Sequence, residues 1–115
     1  MSGAEITKDW IQLVPGVRRK TAAVGDKMMQ VVVWFEKGAK LPEHAHVHEQ
    51  IAAVLAGKMR FVVAGKAIEI SEGSVMLKSN VPHSAEALEE SWLLDTFSPL
   101  REDMLKVDVE HAKKS

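Results

Sequence analysis

Three of the five histidines in this chain fall inside one short stretch, His44-Ala-His46-Val-His48-Glu49-Gln50. No cysteine is present, so a metal ion held here must be bound by imidazole, carboxylate or amide oxygen. Residues i and i+2 on a strand face the same side about 6 to 7 Å apart, from which two imidazoles converge on one ion at about 2.1 Å. His44 and His46 meet that requirement. Gln50 shares their parity, yet a straight strand would place it roughly 20 Å from His44, beyond the reach of a single ion. A bend or bulge is therefore predicted between them, and it makes parity an unsafe guide to His48. For His48 and His111 the ordinary reading is a packed or solvent-facing side chain. A fourth donor is expected from Asn80-Val81-Pro82-His83-Ser84, where Pro82 fixes the backbone just before a histidine at the start of a strand. The expected set is His44, His46, Gln50 and His83 around one divalent transition metal ion, and Zn, Ni, Fe, Mn and Co all suit such donors.

The elements that must position these side chains read as β-strands. Short apolar runs cover 17–24, 28–35, 46–55, 59–63, 67–70, 74–78, 84–88 and 92–97, separated by Gly25-Asp26, Gly57-Lys58, Gly65-Lys66 and Glu72-Gly73. Short runs with glycine-centred breaks are the pattern of an all-β sandwich or barrel, and those glycines permit the positive φ of tight hairpins. From Arg101 to Ser115, charged residues interleave with Met104, Leu105, Val107 and Val109, which fits a short helix or a terminal strand equally. Met28, Met29, Met59 and Met76 lie inside apolar runs and are expected in the core.

Bulk properties narrow the classes of partner. A chain of 115 residues has room for one hydrophobic core, so a single domain is expected over 1–115, with its core at about 10–106 and a C-terminal tail at 107–115. The formal charge of -1 gives no pull toward nucleic acid or a membrane surface. The polar start and the lack of a membrane-length apolar run lead to the expectation of a cytoplasmic protein acting on small molecules.

The stretch from Gly38 through His44, His46 and Gln50 to Gly57 resembles the first cupin motif, with Gln50 where most cupins place glutamate. Gly73 through His83 resembles a shortened second motif. The likeness narrows with Val81-Pro82-His83-Ser84-Ala85-Glu86-Ala87-Leu88, Asp95-Thr96-Phe97-Ser98-Pro99-Leu100-Arg101-Glu102-Asp103 and Pro15-Gly16-Val17-Arg18-Arg19-Lys20. Together these resemble the small pectin-degradation cupins of the KdgF type over roughly residues 10–106. The resemblance implies a cupin jelly-roll barrel, a homodimer formed with help from the N-terminal strands, and conversion of 4,5-unsaturated uronate monosaccharides into linear 5-keto-4-deoxyuronate. It also assigns Asp95, Phe97 and Arg101 to the site.

The chemistry of those residues is consistent with that assignment. Three neutral imidazoles and the neutral amide of Gln50 leave a bound cation its full charge, which strengthens it as a Lewis acid toward a sugar acid. Opening the ring also requires proton movement, for which Asp95 is the candidate acid/base. Phe97 offers an apolar platform for the sugar, and Arg101 a planar fork for its carboxylate. Each has an ordinary alternative: Phe97 as core, Arg101 paired with Glu102 or Asp103, Asp95 as a buried structural acid. Arg18 either reaches the site or belongs to a solvated basic edge. Two further classes share the ligand shell, a non-catalytic sugar- or metal-binding cupin and a cupin dioxygenase.

Overall fold

The computed structural model describes residues 10–114. Within them the chain forms strands β1 (Ile11–Val14), β2 (Val17–Val24), β3 (Met29–Phe35), β4 (Lys40–His44), β5 (Glu49–Ala56), β6 (Met59–Val63), β7 (Lys66–Ile70), β8 (Gly73–Leu77), β9 (His83–Ala87) and β10 (Ser91–Ser98), then helix α1 (Glu102–Lys114). Six strands pair in the order β1-β2-β3-β10-β5-β8, and four in the order β4-β9-β6-β7. From β3 onward the chain passes repeatedly between the two sheets, so strands distant in sequence stack their inner faces into one barrel, the cupin jelly roll expected from the sequence.

Alternation explains which side chains fill it. Met29, Val31, Val33 and Phe35 of β3 are buried, as are Ala52 and Val54 of β5, Met59 and Phe61 of β6, and Leu93 and Phe97 of β10. Met28 and Met76, expected in the core, have the opposite parity and are 54% and 45% exposed. Two turns depend on glycine. Ala64 and Gly65 both have positive φ between β6 and β7, the signature of a two-residue type I′ hairpin. At Gly57, φ is +93° and a Cβ would lie 2.2 Å from the Glu90 carbonyl oxygen, so no side chain fits there.

β1 and β4 are additions to the strands expected from sequence. Lys40-Leu-Pro-Glu-His carries no clear alternation, and it forms a strand because it is the edge of the four-stranded sheet, where Pro42 is tolerated. The segment left open between helix and strand is helical. The expected boundary between core and tail at 106/107 falls inside α1, and Asp108 just beyond it is 2% exposed. It accepts hydrogen bonds from Arg19 and Thr21 of β2, which dock the helix on the inner face of the six-stranded sheet.

Candidate metal centre and cavity

The bend predicted between His44 and Gln50 is where the chain changes sheets. His44 ends β4, directly opposite His83 at the start of β9. Residues 45–48 then turn, and β5 begins in the other sheet with Gln50 facing inward. The Asn80 N–H donates to the His46 carbonyl at 2.7 Å and the Ser79 hydroxyl to the Val47 carbonyl at 2.6 Å, so the loop before β9 holds the bend.

This geometry fixes which ring nitrogens are available. Nδ1 of His44, His46 and His83 lies 2.8, 2.9 and 3.0 Å from the carbonyl oxygens of Pro42, His48 and Val81. A carbonyl only accepts, so each Nδ1 carries the proton and each Nε2 presents a lone pair, the arrangement that orients metal-binding imidazoles. Ligand nitrogens of the three rings lie within 4.8 Å of one another. Nε2 of His83 is buried without a hydrogen-bond partner. Nε2 of His46 faces Oε1 of Gln50 at 3.1 Å. Gln50 lies next to Asp95, and its amide oxygen is the atom turned toward the histidines. Two lone pairs facing each other at that distance, beside an orphaned third, are reconciled by a cation between them. The four residues expected from sequence thus converge and fit a divalent metal ion. Burial is the main cause that lowers His46 and His83 below the usual imidazole value, and the nearby Arg101 charge adds to it, which keeps both rings neutral and ready to bind.

His44, Gln50 and His83 open on a cavity of about 280 Å³ inside the barrel, at the small end of ligand pockets. Among the described residues Asp95 is the one acidic side chain lining it. Asp95 sits mid-strand between Val31 and Ala52, with the parity of Phe97. Its Oδ1 has no partner. Burial pushes its pKa up to about 7, against the opposing effects of the Gln50 hydrogen bond and the Arg101 charge. Phe97 is buried, with its ring 5.9 Å from His46 and 4.9 Å from the Arg101 guanidinium carbon. Arg101 lines the cavity and also pairs with Asp103, one of the alternatives its sequence context allowed.

A cupin-domain family profile matches residues 31–93, more than half of the chain. The pectin degradation protein KdgF of Dickeya dadantii (strain 3937) is 41% identical over 99 residues, covering 84% of this chain and 90% of that protein. The chain belongs to the KdgF family of cupins. A solved KdgF structure from a Halomonas species superposes with a TM-score of 0.80 at 36% identity, over 84% of this chain and 90% of that one. An RmlC-like cupin from Shewanella frigidimarina NCIMB 400 gives a TM-score of 0.79 at 31% identity, over 90% and 93%.

Of the alternatives open for Arg18, this KdgF-family chain takes the outward one, and His48 keeps its ordinary reading outside the metal cluster. Arg18 points outward, its guanidinium carbon 5.7 Å from the Trp34 ring centroid. The neighbour that lines the cavity is Arg19, which is 1% exposed. Its parity with the buried Val17 and Thr21 was the available signal. His48 lies outside the three-histidine cluster; its Nε2 is 3.2 Å from the Leu100 carbonyl oxygen, which ties the metal-site bend to the segment carrying Arg101.

Proposed function

We propose that this cupin converts 4,5-unsaturated uronate monosaccharides, released by pectin or alginate breakdown, into linear 5-keto-4-deoxyuronate without redox chemistry. The observation that carries the reading is Asp95, a carboxyl group with an unpartnered oxygen, facing a cavity whose other charged lining residues are Arg19 and Arg101. The family's pectin-degradation member supports the substrate class.

In the reaction, the anomeric hydroxyl loses its proton, the bond between the anomeric carbon and the ring oxygen breaks, and an aldehyde forms. The electron pair leaves on the ring oxygen as an enolate, and the former alkene carbon C4 takes a proton to give the ketone. Atoms and electrons balance without an oxidant. His44, His46, Gln50 and His83 would hold one divalent ion, which when bound supplies Lewis acidity toward the substrate carboxylate and the oxygen beside it. Asp95 takes the proton from the anomeric hydroxyl and returns it at C4, a role suited to a carboxyl group titrating near neutrality. Arg101 pairs with the substrate carboxylate. Phe97 lines the cavity beneath the sugar and supports Arg101 and His46.

We also propose a homodimer to which β1, the edge strand of the six-stranded sheet, contributes; sedimentation as a monomer at micromolar concentration would refute it. The function itself is tested by adding metal-loaded protein to an unsaturated galacturonate monosaccharide without oxygen. Loss of the unsaturated absorbance is expected. No turnover without oxygen, with oxygen uptake in a parallel aerobic assay, would point to a dioxygenase, and binding without turnover in either to a non-catalytic module.

A further inference from the structure

Arg101 stands at the junction of β10 and α1 with only 14% of its side chain exposed. The guanidinium carbon packs 4.9 Å from the Phe97 ring centroid, which fixes one side of its plane. On its edge, Nε and NH2 donate to the two oxygens of Asp103 at 3.1 and 2.9 Å. That parallel two-bond arrangement is the one by which a guanidinium takes a free carboxylate. The Asp103 side chain is 63% exposed, and its bond to Arg101 spans two residues, so the pair ties no two distant elements together. The Nε–NH2 edge, one of the two a guanidinium can offer a carboxylate, is therefore already filled by an exposed carboxylate of the chain itself.

We infer that Asp103 is a positioning residue that occupies and orients the Arg101 fork in the ligand-free site and yields it to the carboxylate of a sugar acid. The inference rests on the uronate reading of the site given above. Phe97 keeps the guanidinium plane in place through the exchange, while the exposed Asp103 swings into solvent. Its departure is eased because the Asp103 carboxylate is already largely solvated, and its competition weakens the binding of other carboxylates.

The test is calorimetric titration of metal-loaded wild type, Asp103→Asn, Asp103→Glu and Glu102→Gln with galacturonate, and with galactose as the neutral counterpart. Removal of the competing charge in Asp103→Asn should tighten galacturonate about two- to fivefold, the range of an exposed ion pair. Galactose should not respond, and Asp103→Glu should restore wild-type affinity. For the unsaturated uronate the gain should fall in KM and not in kcat. Unchanged or weaker galacturonate binding in Asp103→Asn overturns the inference. So does an equal gain in Glu102→Gln, which removes the same charge next door and would make the effect one of general electrostatics. Failure of galacturonate to bind wild type and every variant overturns the uronate reading itself.

Discussion

Asp108 is buried and Asp95 is half-buried facing the cavity, and their partners differ. Both oxygens of Asp108 are occupied, Oδ1 by Arg19 at 2.9 Å and Oδ2 by the Thr21 hydroxyl at 2.6 Å. Arg19 also donates to the Met104 carbonyl at 3.1 Å. Asp95 leaves Oδ1 without any partner and is raised to about 7 by burial. A carboxylate engaged on both sides fixes a helix to a sheet. One left open in a cavity is available to exchange a proton. Burial alone does not separate the two; what differs between them is how many carboxylate oxygens are satisfied.

The cavity side of this contrast breaks hardest at His83. Its Nε2 is buried and unpartnered, so His83→Ala should take bound metal from one ion per chain to a small fraction of that, read by elemental analysis after dialysis. Undiminished stoichiometry and affinity would remove His83 from the set. The helix side breaks at Asp108. Asp108→Ala leaves the Arg19 guanidinium buried beside an empty site, and denaturant unfolding should show a loss of about 3 to 5 kcal/mol. Replacing the pair together, Arg19→Met with Asp108→Leu, should recover most of it, because well-packed apolar side chains often substitute for a buried ion pair. A small loss in the single variant would mean that the pair does not anchor α1.

The smallest effect sharpens the contrast at an exposed carboxylate. Arg101 holds Asp103 below its ordinary value, so the pair's stabilisation is complete above the unfolded carboxylate value near 4 and is lost as pH falls through the lowered folded value. Asp103→Asn should therefore be less stable than wild type at pH 6 by no more than about 1 kcal/mol, with the gap closing below about pH 4. Urea midpoints at the two pH values check it; a gap that persists in acid would assign the loss to something other than the ion pair.

What sequence made legible follows from the range of the interactions involved. The convergence of His44, His46 and Gln50 was readable because strand geometry limits how far apart donors to one ion can lie, and that limit required a bend, found at 45–48. His83 was readable from Pro82 beside it. β4 was not, because an edge strand with Lys40, Pro42 and Glu43 has no buried face to impose alternation. Arg19 was hidden by the run Arg18-Arg19-Lys20, which looks like one basic edge until alternation from Val17 is followed through it. The burial of Asp108 depends on α1 crossing back to β2, a contact between residues 89 positions apart that no local pattern encodes.

In the proposed reaction Asp95 moves the proton beside the histidine cluster and holds neither the fold nor the ion. The most direct test is Asp95→Asn, which keeps the shape and removes the titratable group. Turnover of the unsaturated uronate should fall by roughly two to four orders of magnitude, the usual contribution of a positioned acid/base group, while metal content and Tm stay near wild type. Retained turnover would show that the proton travels by another route, and a joint loss of turnover with metal or with stability would make Asp95 a structural acid like Asp108.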